Sequence, residues 1–229
     1  MYNTPQKLVA EFFGTFALIF FGAGSICADQ FLRSSGQAGF GILGVAIAYG
    51  LAMGIMVTAL GHVSGGHFNP AITIGYWVTR KISTFEALAY WVAQLAGATA
   101  AAYLLRLLPI DVWGPVQLGT PELASGISRS SGMIFEGIMT FFLVFVVFAT
   151  AVDPSGAFNK IAGFAIGLTI TMGVLFGGPF TGAALNPSRA FGPALASNHW
   201  ANHGVYWTGP LAGGVAAGWL YNTLFLTKE

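Results

Sequence analysis

Two short segments hold the residues whose types and spacing could do chemistry. The first reads Ser64-Gly65-Gly66-His67-Phe68-Asn69-Pro70-Ala71, and the second reads Thr181-Gly182-Ala183-Ala184-Leu185-Asn186-Pro187-Ser188-Arg189. Asparagine followed by proline signals a helix start. The amide oxygen caps backbone N–H groups, and proline in the first turn has no N–H to leave unpaired. Helices are therefore expected to open at Pro70-Ala71 and at Pro187-Ser188. The apolar runs that follow, 70–78 and 187–196, are too short to cross a bilayer, which takes about 20 residues. They read as half-helices that dip into a membrane and return. If the two meet head to head, their positive ends face one point and repel cations, hydronium among them. The Asn69 and Asn186 amides can donate to one water oxygen there. A water held that way turns its hydrogens outward and passes no proton along a file. The glycine-containing stretches ahead of the asparagines are non-helical, and such backbone is tolerated at membrane depth where it lines a water-filled path. The carbonyls of Gly65, Gly66 and His67 on one side, and of Gly182, Ala183 and Ala184 on the other, would form a ladder of acceptors.

Other polar residues frame these segments. Arg189 is a charge at membrane depth, and such charges mark function more often than packing; its place on a half-helix argues against a snorkelling arginine. Glu11 and Glu136 are carboxyls within apolar spans. They read either as a proton relay or as acceptors for internal hydrogen bonds, since an unpaired carboxylate in hydrocarbon costs several kcal/mol. His62 and His67 stand five residues apart with no carboxylate or cysteine beside them, which fits no usual ligand set. No metal and no cofactor are expected. His62 is placed at a cytoplasmic mouth, and His67 is expected to offer its carbonyl. Cys27 reads as a small packing residue.

The elements that must position these groups are apolar spans. Hydrophobic residues make up 55% of the chain and charged residues 7%, against about 25% charged in soluble domains. The net charge of +1 gives no reason to expect a nucleic-acid partner. Six apolar spans fall at roughly 8–28, 38–60, 83–107, 131–152, 159–178 and 204–226. Lys7 precedes the first, but that run is long enough to span a bilayer, and five more follow, so it is not read as a signal peptide. Gly50 and Gly54, and Gly163 and Gly167, are spaced for close helix packing. Six spans put both termini on one side with Lys7, Arg80, Lys81, Lys160 and Lys228, against Arg33, Arg106 and Arg129 on the other. The bias puts the termini in the cytoplasm.

The chain also reads as a duplication. Glu11, Thr15 and Phe16 match Glu136, Thr140 and Phe141; Asn69-Pro70 matches Asn186-Pro187; Tyr90-Trp91 with Gly97 matches Tyr206-Trp207 with Gly213. Each half has three spans, so the second enters the membrane inverted, which puts a site near the midplane at the interface of the halves. The halves are drawn at about 1–107 and 131–229, joined by the Pro-rich connection 108–130, within one domain covering 1–229.

Paired Asn-Pro boxes with Glu11, Glu136 and Arg189 in place resemble the aquaporins, or major intrinsic proteins, over essentially the whole chain. The resemblance implies an all-α membrane protein with six transmembrane helices, two re-entrant half-helices and an inverted repeat in a right-handed bundle. It implies a homotetramer with a pore in each subunit, and glutamates at 11 and 136 that support the re-entrant loops. It also implies a selectivity filter of Tyr49, Val174, Ala183 and Arg189. This chain departs from the family in Ser188, where alanine is usual, in Tyr49, where phenylalanine is common, and in Val174, where strict water channels carry histidine. Ala190 stands where glycerol-conducting relatives place aspartate, while Ala194 and Tyr206-Trp207 follow the water-channel pattern. The reading is a passive channel for water and small uncharged solutes that excludes protons and ions, not an enzyme, with membrane lipids as its surroundings. Alternatives are a channel mainly for ammonia, urea, metalloid hydroxides or glycerol, then a junction-type structural protein or a coupled transporter. A compact chain with short tails points to a microbial plasma or inner membrane.

Overall fold

The computed structural model describes residues 2–155 and 161–226. Along them run α1 (Thr4–Ser34), α2 (Gly41–Ser64), α3 (Pro70–Val78), α4 (Thr84–Leu105), the single turn α5 (Ile110–Trp113), α6 (Arg129–Val147), α7 (Ala162–Thr181), α8 (Pro187–Ser197) and α9 (Val205–Leu224). Among the described residues there is no strand. Helix starts follow polar caps in the sequence. Asn3 and Gln6 cap α1 reciprocally with Pro5 in its first turn, Ser83 accepts from the Glu86 N–H at the start of α4, and Ser128 does the same for Ser131 at α6. Helices α2 and α7 end on Gly65 and Gly182 in the left-handed conformation, at φ 94° and 76°, where a side chain would be strained.

Long helices occupy the expected spans, with three differences. First, α1 runs on to Ser34 because Asp29 and Arg33 pair one turn apart at 2.7 Å and carry the helix beyond its apolar length. Second, α6 gives way to a π-helical turn at Phe148–Val152. Third, five of the described helices are long and apolar enough to cross a membrane. The sixth, α9, has 20 residues but is less apolar. Glycines, two tyrosines and Asn222 dilute it, because its small residues serve packing: side chains at Gly213 and Gly214 would overlap the Gly137 and Ala71 carbonyls. Its packing is against α6 and α3. Lys160 and Lys228, used above to orient the chain, lie outside the described residues, as does the start of the span placed at 159.

The packing repeats itself. Helix α1 contacts α2 and α4, as α6 contacts α7 and α9. Helix α3 packs on α9 and α8 packs on α4, each on the long helix of the opposite half. Exchanging α1 with α6, α2 with α7, α3 with α8 and α4 with α9 returns the same set of neighbours, which is the inverted repeat. The halves meet along α2 and α7 at glycine. A side chain on Gly54 would stand 2.7 Å from the Gly163 carbonyl, and one on Gly167 2.5 Å from the Gly50 carbonyl. Polarity is inside out. Glu11, Thr15, Gln94, Glu136 and Thr140 are fully buried, while Phe13, Phe21, Leu51, Ile55, Val92, Phe164 and Trp219 are exposed. An apolar exterior of this extent is a surface for lipid.

Candidate pore

Asn69 and Asn186 sit in extended conformation (φ −159° and −154°) at the starts of α3 and α8. The Asn69 Oδ1 accepts from the Ala71 N–H at 2.8 Å. The Asn186 Oδ1 accepts from Ser188 at 2.9 Å and from Arg189 at 3.4 Å. Each amide nitrogen crosses to the other half: Asn69 Nδ2 donates to the Leu185 carbonyl and Asn186 Nδ2 to the Phe68 carbonyl, both at 2.9 Å. An amide has two N–H groups, so one remains on each asparagine after its oxygen and first N–H are engaged. The sequence did not reveal this reciprocal bond, which joins the two half-helix starts and fixes the direction of the remaining donors.

The segments ahead of the asparagines take matched paths. Gly65, Gly66 and Phe68 have φ of 94°, 65° and 48°; Gly182, Ala183 and Leu185 have 76°, 47° and 53°. The strained positions are held by carboxyls. Glu11 Oε1 accepts from the Ser64 hydroxyl at 2.7 Å and the His67 N–H at 3.0 Å, and its Oε2 accepts from the Phe68 N–H and from Gln94, both at 2.7 Å. Glu136 repeats the scheme with the Thr181 hydroxyl at 2.6 Å, the Ala184 N–H at 2.9 Å and the Leu185 N–H at 2.8 Å. Tyr90 and Tyr206 hydroxyls donate to the Ser64 and Thr181 carbonyls. The N–H groups of Gly66, His67, Phe68, Ala183, Ala184 and Leu185 are thus bonded within the protein. Gly182 departs from the expected free ladder, because its carbonyl accepts from Arg189 Nη2 at 3.2 Å. The His67 imidazole is buried, 3.0 Å from the Thr73 hydroxyl, tilted against the Tyr76 ring at 4.1 Å and edge-on to Tyr90 at 5.2 Å. His62 is exposed at the end of α2, with the Tyr2 ring against it at 5.7 Å.

Three of the four positions expected to form a filter meet. Tyr49, Val174 and Arg189 border one cavity of about 410 Å³, together with Gly119, Glu122 and Gly182. Ala183 does not offer its side chain there; its methyl faces Gly177 of α7. The Arg189 guanidinium is 5.1 Å from the Tyr49 ring centroid, within cation–π range. Its Nη1 donates to the Gly119 carbonyl at 2.8 Å, while its Nε has no protein partner. Gly119 belongs to the connection read above as a plain link. Gln117, Leu118 and Gly119 take left-handed φ of 50°, 54° and 72°, and Leu118 is fully buried. The connection thus folds inward and delivers a carbonyl to the arginine. The signal available in the sequence was an apolar Val116 and Leu118 followed by Gly119 in the Pro-rich connection.

The family model described as Major intrinsic protein matches residues 2–221. Aquaporin TIP4-4 of Zea mays is 43% identical over 225 residues, covering 97% of this chain and 88% of the relative. The probable aquaporin TIP3-2 of Arabidopsis thaliana is 44% identical over 231 residues, covering 98% and 85%. The X-ray structure of the aquaglyceroporin from Plasmodium falciparum superposes with a TM-score of 0.83 over 97% of both chains at 23% identity, a likeness of fold.

Proposed function

The chain belongs to the major intrinsic protein family, and we propose that water and small uncharged solutes cross it passively through the path between the Asn69–Asn186 pair and the Arg189 cavity. The observation that carries this reading is the use of each asparagine amide. With oxygen and first N–H engaged, the asparagines offer the midpoint two donors and no acceptor. A water there accepts from both and donates outward to carbonyls on either side, so the hydrogen-bonded file reverses direction at the centre and carries no proton. The amino ends of α3 and α8, which converge on the same place, oppose cations. Arg189 does so again at the cavity.

At that cavity the reading favours a wide solute range. Val174 supplies neither a donor nor the bulk of an imidazole, and Tyr49 keeps its hydroxyl buried without a partner. Ammonia, urea, hydrogen peroxide and metalloid hydroxides fit such an opening better than glycerol does. The test is stopped-flow light scattering on proteoliposomes with water, urea, ammonia and glycerol. Val174→His is expected to reduce urea and ammonia passage while sparing water. Exclusion of all three solutes by the unaltered protein would rule out the wide filter and leave a water channel.

We further propose a homotetramer in which each subunit carries its own pore, supported by the family membership and by the apolar α2–α7 exterior, and tested by mass measurement in detergent. Cytoplasmic termini in a cell membrane are supported by Lys7, Arg80 and Lys81, which share one side; the Lys7–Glu86 pair at 2.7 Å ties the starts of α1 and α4 there. Reporter fusions to the C-terminus that are active only in the cytoplasm are expected to be active.

A further inference from the structure

Tyr49 stands where it does because position 22 has no side chain. A methyl built on Gly22 would overlap Cδ1 and Cε1 of the Tyr49 ring and approach Cγ to 2.9 Å. The ring therefore lies directly on the main chain of α1, 2% exposed, with Arg189 5.1 Å from its centroid. Its hydroxyl is buried and has no protein partner. No hydrogen bond anchors the ring, so packing against α1 and the Arg189 guanidinium over its face hold it. The open volume it borders is the cavity it shares with Val174 and Arg189, and a ring displaced from α1 moves toward that volume. We propose that Gly22 is a specificity-determining residue of this channel, acting through Tyr49: it seats the ring back against α1 and sets how much of the cavity mouth a solute can use. This rests on the filter reading given above and adds to it a position twenty-seven residues away in sequence, on a helix to which none of the four filter positions belongs.

The test compares the unaltered protein with Gly22→Ala, Tyr49→Ala and the double variant in proteoliposomes, with urea and water permeabilities measured on the same preparations. Folding is followed by size-exclusion profile and melting temperature. Gly22→Ala is expected to lower the urea-to-water ratio by about tenfold, the scale at which one added methyl acts in a tight site. Tyr49→Ala is expected to raise the ratio, and the double variant to match Tyr49→Ala alone. If the unaltered protein passes no urea, water is the readout, and Gly22→Ala must lower it while the double variant restores it. If Gly22→Ala does not fold, the double variant must fold, because the overlap is with the ring. A folded Gly22→Ala with unchanged permeabilities overturns the proposal, as does a loss that persists in the double variant. Should Tyr49→Ala raise the ratio while Gly22→Ala changes nothing, the seat alone is rejected. Should Tyr49→Ala change neither permeability, the filter reading falls and the seat falls with it.

Discussion

At position 189 one planar cation bonds two carbonyls from distant parts of the chain, Gly119 and Gly182, while facing the Tyr49 ring. That work needs a fork. A lysine ammonium is a point charge on a flexible stem and does not reproduce the planar two-carbonyl geometry. Arg189→Lys is expected to leave one carbonyl unpaired, lower stability by about 1–3 kcal/mol, and let the 117–119 turn relax away from the cavity. Thermal melting in detergent checks the first effect, and a changed urea-to-water ratio the second. Its neighbour predicts the opposite sign. The Ser188 N–H bonds the Asn186 amide oxygen, but the Ser188 hydroxyl is fully buried with no protein partner. Ser188→Ala keeps the cap and removes the unmatched hydroxyl, so it is expected to raise stability by about 1 kcal/mol and leave water permeability unchanged. A lower melting temperature would mean that the hydroxyl has a role the cap does not explain.

The half-helices behave as one element split over two chain segments. Each is capped by its own asparagine and tied to the other by the second function of the same amide. Asn186→Asp separates those functions. A carboxylate still caps α8, but it has no N–H for the Phe68 carbonyl, which is expected to cost about 1–3 kcal/mol. It also replaces a pore donor with a negative acceptor, so proton or cation leak should appear where there was none, as read by a pH-sensitive dye trapped in the vesicles. A tight, proton-excluding Asn186→Asp channel would contradict the donor-only centre. Much of this element was legible in the sequence. Asn-Pro marks a helix start through local chemistry, so the starts at Pro70 and Pro187 needed no tertiary information. What lay beyond reach was long-range: the bonds from Asn69 to Leu185 and from Asn186 to Phe68, and the meeting of the Gly119 carbonyl with Arg189. Nothing at Gly119 announces that its carbonyl meets a guanidinium seventy residues on. The direction of the Ala183 methyl was hidden for a related reason. Its left-handed φ of 47° is imposed by Glu136 and Thr181, which fix the segment around it, and not by alanine itself.

For the molecule as a whole, the pore exists only if two inverted halves hold a fixed distance. The reciprocal asparagine bonds set that distance at the centre, and the α2–α7 seam sets it along the membrane. In water such a seam would close by the hydrophobic effect. In lipid the surroundings are as apolar as the interface, so association rests on close packing and small residues. Gly50, Gly54, Gly163 and Gly167 provide it, with carbonyls of one helix standing where a side chain of the other would begin. Gly163→Val forces α7 away from the Gly54 carbonyl and from Thr58, and backbone cannot yield as the end of a flexible side chain can. Overpacking of this kind costs about 1–3 kcal/mol. Its reach should exceed its local cost, because α7 carries Val174 and leads into Gly182. Displacing it moves one wall of the proposed filter and one strut of the central pair together. The expected result is a protein that still inserts but melts lower and loses water permeability, with Gly54→Val giving the same pair of effects from the opposite helix. Variants at Gly137 or Gly209, on the α6–α9 contact within one half, should lower the melting temperature with less loss of permeability per degree. Equal losses per degree from the two seams, measured by stopped-flow on matched preparations, would show that the spacing between the halves holds no special control over the pore.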